Sequence, residues 1–210
     1  MDVSHIGTST RVLGQDLQWP LLCSPTGASR LYHPDGELAV ARAAAEAGVY
    51  DGVSVAAIHS LEEITAASSG PKFFQLLGFK NRDLTRDLIE RCRAARYPAL
   101  CVTVDAAALG KRERALRSGM DVPPKLTLAS LADLGCIPGI SPAISGTGLA
   151  RVGWCCPTWS SAAAPSRGAT GQQLIRQLDP AATWADVRDI ADRWRGPPAV
   201  KGILSAAAAR

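Results

Sequence analysis

The chain has 210 residues, 20% of them charged and 47% hydrophobic, which is enough apolar material for a core and too much for a disordered chain. A formal net charge of +4 comes from 23 basic and 19 acidic residues interspersed along the chain, whereas a nucleic-acid partner calls for clustered Lys and Arg. No apolar run approaches the ~20 residues of a membrane span, and Met1-Asp2-Val3-Ser4-His5 lacks both a basic and an apolar signal region, so a soluble cytoplasmic protein is expected.

Taken in chain order, residues 21–24 after Pro20 read as a short buried strand. An Ala-rich helix is predicted over 37–47, with Asp35 near its start and Gly48 at its end. Residues 49–54 form a second strand candidate, weakened by Asp51 and Gly52. Ser60-Leu61-Glu62-Glu63 has capping-box spacing and starts a second helix running to about Ser68. A third strand is predicted over 72–76. Asn81 then caps a helix whose Leu84, Leu88, Ile89, Cys92 and Ala95 share one face. Residues 99–104 are the clearest strand, ended by Asp105.

Regularity is expected to stop over 106–178, where Gly, Pro, Ser and Thr abound. It returns at Thr183, which can cap a helix with Asp186 at its third position. Trp184, Val187, Ile190, Ala191 and Trp194 make that helix amphipathic, and 198–204 is a fifth strand candidate. Strand–helix alternation of this kind means parallel βαβ units, a signature that a doubly wound sheet and a (β/α)8 barrel share.

The six cysteines show no CxxC spacing and make no ligand pattern with His5, His33 and His59, so no metal site is expected. Cys23, Cys92 and Cys101 read as small buried hydrophobes. In parallel α/β folds functional groups gather at the C-terminal ends of strands. Those ends carry Ser24-Pro25-Thr26-Gly27, Ser54, Gln75, Thr103-Val104-Asp105 and Lys201. A strand end is where any strand meets solvent, so one polar residue there means little; five such ends in register mean more. Neither GxGxxG nor GxxxxGK[ST] follows the first strand, which leaves nucleotide binding through those loops unsupported.

PTGASRLYHPDGE (25–37), SLEEI (60–64), GPKFFQL (70–76), VTVDAAALGKRE (102–113), VPPKLTL (122–128) and AVKGIL (199–204) occur in one order. Together they resemble the FMN-dependent L-2-hydroxy-acid dehydrogenases and oxidases, the family of glycolate oxidase, lactate oxidase and mandelate dehydrogenase. The resemblance covers most of 8–127 and 178–209. It implies a (β/α)8 barrel with FMN across the C-terminal mouth. Pro25 and Thr26 would present backbone groups to the flavin N5 and O4 edge, and Ser54, Gln75 and Thr103 match positions that hydrogen-bond the isoalloxazine ring. Lys201 matches a lysine beside flavin N1 and O2, where its charge would stabilise the anionic reduced flavin. Asp105 matches the carboxylate that pairs with the catalytic histidine. Arg112 matches an arginine facing the substrate carboxylate, a task that suits a guanidinium's two parallel hydrogen bonds.

Departures from the family pattern also carry expectations. Leu77 stands where the family has an active-site tyrosine, and Ala56 stands near a position that is often aromatic. None of His5, His33 and His59 matches the family's general base. That histidine, its neighbouring arginine and the segments holding the FMN phosphate follow later strands, and an upstream tyrosine-bearing segment also finds no match. The expected fold is therefore a partial TIM barrel, with about five of eight strands within one domain over 1–210 and a long irregular insertion at 106–178. The expected function is FMN-dependent oxidation of a small 2-hydroxy acid, impaired in a truncated chain that binds FMN weakly. The alternative is a non-catalytic remnant or a half-barrel that pairs with a complementing chain or a second copy.

Overall fold

The computed structural model describes residues 4, 6–106, 110, 113–117 and 171–208. Its first element has no counterpart among the sequence expectations. Strands β1 (Thr10–Val12) and β2 (Gln15–Leu17) pair antiparallel through Leu13 and Gly14, both at positive φ (47° and 80°). Two consecutive positive φ values give the tight hairpin turn whose twist matches its flanking strands.

Five further strands follow: β3 (Leu22–Thr26), β4 (Tyr50–Ser54), β5 (Lys72–Leu77), β6 (Ala99–Thr103) and β7 (Pro198–Lys201). They form one parallel sheet in the order β3-β4-β5-β6-β7, so every strand lies beside its neighbour in sequence. The helices among the described residues are α1 (Gly36–Glu46), α2 (Leu61–Ala67), α3 (Arg82–Ala94), α4 (Glu113–Arg117), α5 (Gly171–Gln177) and α6 (Trp184–Trp194). Helices α4 and α5 lie inside the stretch 106–178 that reads as irregular in sequence, so helical order resumes by Gly171 and not at Thr183. The fifth strand is also shorter than expected, ending at Lys201 where the chain turns through Gly202 at φ 105°.

Local chemistry sets the helix starts. Ser60 Oγ accepts from the Glu63 N–H at 3.1 Å, while Glu63 Oε2 accepts from the Ser60 N–H at 2.8 Å, completing the capping box of α2. Asn81 Oδ1 accepts from the Asp83 and Leu84 amides at 3.0 and 3.2 Å, which opens α3. Asp186 Oδ2 accepts from the Thr183 N–H at 2.7 Å at the head of α6. Asp35 does precede α1, but its carboxylate takes the Arg42 guanidinium at 3.0 Å and no helix amide.

Alternation along the strands separates two cores. On one face, Val53, Phe74, Leu76, Leu100 and Val102 pack under Ala41 of α1, Leu61 and Ile64 of α2, and Leu84, Leu88, Ile89 and Cys92 of α3. Ile190 and Trp194 of α6 join this layer, whereas Trp184 at the start of α6 is 46% exposed and stands outside the core its spacing suggested. On the other face, Tyr50, Phe73, Ala99 and Cys101 form a smaller core with Leu17 of the hairpin, flanked by Val12, Leu13 and Ala199. The hairpin thus covers the N-terminal half of this second face. Cys92 and Cys101 are buried as expected; Cys23 is only half-buried. Among the described residues no helix is long and apolar enough to cross a membrane.

Candidate functional site

The half of the second face that the hairpin leaves uncovered is polar. Ser54 is the register partner of Gln75, Gln75 of Cys101, and Thr103 of Lys201. Since Cys101 and Thr103 are two residues apart on β6, all four polar side chains project from the same face, at the C-terminal ends of four adjacent strands. The register sets these groups on two levels, Ser54 beside Gln75 and, one step further along the strands, Thr103 beside Lys201, and together they make one polar row across the sheet.

The row is internally ordered. Gln75 Nε2 donates to Thr103 Oγ1 at 2.7 Å, which fixes the amide and leaves its carbonyl and second N–H for another partner. Ser54 Oγ accepts from the Ala56 N–H at 3.1 Å, so its own O–H is a donor. Ser54 and Thr103 are buried, each 5% exposed, and Gln75 is half-buried. Lys201 Nζ lies 3.5 Å from Asp105 Oδ1, a loose ion pair with both side chains nearly half exposed. Burial pushes the Cys101 thiol up, and the Lys201 charge opposes that shift. Among the described residues Asp105 pairs with Lys201; the resemblance sets this carboxylate beside a histidine that none of His5, His33 and His59 matches.

Pro25 and Thr26 end β3 beside this row. The β3–β4 register shifts between Cys23 and Thr26, so the strand leaves regular pairing where the candidate backbone contacts lie. Thr26 Oγ1 and Ser29 Oγ are 3.5 Å apart. Leu77 is the register partner of Thr103, adding an apolar side chain where a phenol was the family pattern. Arg112 lies outside the described residues, as does His5.

The described histidines are both engaged elsewhere. His33 Nδ1 accepts from the Asp35 N–H at 3.2 Å. His59 is buried with Nδ1 2.8 Å from Glu37 Oε2, a pairing across 22 positions that no local motif announces. Asp51 and Lys72, register partners on the helix-covered face, are also buried. Burial pushes the Asp51 carboxyl up to about 6, with Lys72 opposing and Glu37 adding to the shift.

Two hollows adjoin the strand ends. One of about 310 Å³ lies on the helix side, lined by Arg82, Thr183, Trp184 and Asp186, and shares only Thr103 with the polar row. Its guanidinium is already held by Asp179 and Asp186 at 2.8 and 2.9 Å. The other, about 640 Å³ and lined by Pro25, Thr26, Ser29 and His33, flanks the β3 end. Neither has the convergent, uncommitted donors of the row, which makes the row the better candidate site.

The whole chain, residues 1–210, matches the family described as FMN-dependent dehydrogenase. It is 41% identical over 210 residues to the L-lactate oxidase of Nostoc sp., covering 97% of this chain and 51% of the relative. Glycolate oxidase 3 of Oryza sativa subsp. indica is 32% identical over 206 residues, covering 98% of this chain and 50% of the relative. Among solved structures, (S)-mandelate dehydrogenase, a monotopic membrane protein, superposes with a TM-score of 0.84 at 31% identity. That match covers 98% of this chain and 54% of the other. The chain spans about half the length of the curated relatives it matches.

Proposed function

Because the chain belongs to the FMN-dependent dehydrogenase family, whose members are 2-hydroxy-acid oxidases and dehydrogenases, we propose that it takes part in oxidising a 2-hydroxy acid to the 2-oxo acid, with FMN lying on the polar row. The observation that carries this reading is the row itself. Ser54 beside Gln75, and Thr103 beside Lys201 one step further along, gather near the ends of four adjacent strands on a face that is otherwise apolar.

The residues fit the cofactor in kind. An isoalloxazine ring is flat and apolar on its faces, with carbonyl and ring-nitrogen acceptors along one edge and a single N–H donor between them. The row offers an ammonium, two hydroxyls and an amide that both donates and accepts. FMN, when bound, supplies the two-electron acceptor that oxidation of an alcohol carbon requires. Gln75, braced by Thr103, would orient the ring. Lys201 would add positive charge beside it, where preorganised charge is most effective. The loose Asp105 pair would keep that ammonium at the strand end. Arg112 is read, from the family pattern, as the group that holds the substrate carboxylate by two parallel hydrogen bonds.

Oxidation also requires that the substrate hydroxyl proton go to a base. Both described histidines are occupied away from the row. That observation favours a second reading, in which this chain binds the flavin or packs against a complementing chain without turnover of its own. Titration with FMN, followed by the visible flavin band, tests the first claim. We expect Lys201→Met and Gln75→Leu each to weaken binding about tenfold or more, the effect of losing a hydrogen bond to a charged or tightly held group. Wild-type affinity in both variants would overturn the placement. Bleaching of the bound flavin by anaerobic L-lactate or glycolate would select the catalytic reading over the second one.

A further inference from the structure

Glu37 and His59 are among the most buried polar side chains described, 6% and 7% exposed, and they lie off the polar row. Glu37 stands in the first turn of α1, and His59 in the loop that follows β4. Glu37 Oε1 accepts from the Ser29 N–H at 3.1 Å and from the Ile58 N–H at 3.2 Å, while Oε2 lies 2.8 Å from His59 Nδ1. One carboxylate therefore ties the loop after β3 to the loop after β4.

Those two loops are in backbone contact. The Ala28 N–H donates to Ala56 O at 3.1 Å. A Cβ at Gly27 would come within 2.8 Å of the Ala56 Cβ, so nothing larger than glycine fits without moving one loop. Removing a carboxylate from water is costly unless its oxygens are satisfied, and here that happens only when Ser29, Ile58 and His59 converge on it. The converged arrangement joins the segment that follows Pro25 and Thr26 to the segment that follows Ser54.

We propose that Glu37 and His59 are positioning residues, a buried pair that holds the ends of β3 and β4 at the spacing the flavin edge needs. The proposal rests on the reading that these strand ends contact FMN. It assigns a function to a glutamate that its position alone would mark as an ordinary first-turn acid, and to a histidine that takes no direct part at the row.

The test compares wild type with His59→Ala, His59→Asn and Glu37→Gln by hydrogen exchange and by FMN titration through quenching of flavin fluorescence. We expect His59→Ala to speed exchange of the Ala28 amide at least tenfold and to weaken FMN binding at least tenfold, with the β5 and β6 amides unchanged. His59→Asn, which can still donate to Glu37, should restore most of both. A purely structural role would lower thermal stability without this joint loss and rescue. Unchanged Ala28 exchange in His59→Ala, or faster exchange with wild-type FMN affinity, overturns the pair as a positioning device. Absence of FMN binding by the wild type overturns the flavin reading and this proposal with it, and the wild-type titration alone separates that outcome from failure of the pair. Should His59→Ala not fold, Glu37→Gln decides: several-fold weaker FMN binding with faster Ala28 exchange supports the proposal, and wild-type values for both overturn it.

Discussion

Asp51 shows how one side chain can set a pH dependence for the whole fold. It sits in β4 on the helix-covered face, 4% exposed, opposite the equally buried Lys72, whose Nζ donates to Ser68 O and Gly70 O at 2.7 Å each. Burial raises its carboxyl from 3.8 to about 6. Between those two values the folded state holds more proton than the unfolded state, so stability falls as pH rises through this window. Each unit of difference corresponds to about 1.4 kcal/mol, giving a loss of about 2–3 kcal/mol between pH 4 and 6. Asp51→Asn should flatten that slope, since the group that titrates is gone. Thermal melts from pH 4 to 7 check this; an unchanged slope in the variant would place the pH dependence elsewhere.

Among the elements, β4 is the one most sensitive to a single added atom. A Cβ at Gly52 would come 2.5 Å from Cys23 O, 2.7 Å from Phe73 Cζ and 2.9 Å from Pro25 Cδ. The first of these is backbone of the neighbouring strand and cannot rotate away. Gly52→Ala should therefore cost about 1–3 kcal/mol or more by overpacking, read as a lowered denaturation midpoint, whereas Gly7→Ala, with nothing within 4 Å, should be neutral. An unaltered midpoint for Gly52→Ala would show that β3 can shift outward freely. In sequence, Asp51 and Gly52 weakened the case for this strand; in the structure Tyr50–Ser54 is buried throughout, since tertiary packing overrides strand propensity. What local chemistry dictates was legible: the Ser60 and Thr183 capping boxes, the Asn81 cap, and strands marked by apolar runs that end in polar groups. The hairpin was not, because its turn is Leu13-Gly14 and lacks the Asn-Gly or Asp-Gly signal of such turns. Candidate site residues were readable one at a time at strand ends. Their pairings were not, since Gln75 meets Thr103 across 28 positions and Lys201 meets Asp105 across 96.

For the whole molecule, the sheet has two flanks. Among the described residues β3 and β7 each pair on one side only, and Leu21, Leu22 and Val200 near them are exposed. Unpaired parallel strands with apolar side chains template association. The 210-residue chain by itself should associate in a concentration-dependent way, and Val200→Lys should reduce that association; light scattering across a dilution series measures both. A monodisperse monomer at all concentrations would mean that the flanks are covered. The strand order has a kinetic consequence as well. The pairings from β3 to β6 join neighbouring βα units and can form while the chain is still locally sampling, but Leu100 must find Pro198 almost a hundred positions away. Loop-closure entropy grows only logarithmically, by about 0.6 kcal/mol for each doubling of length. By that measure alone, a long connection between β6 and β7 costs the finished sheet little more than a short one. The sequence separation predicts that β7 joins last, which leaves β6 an edge until it does.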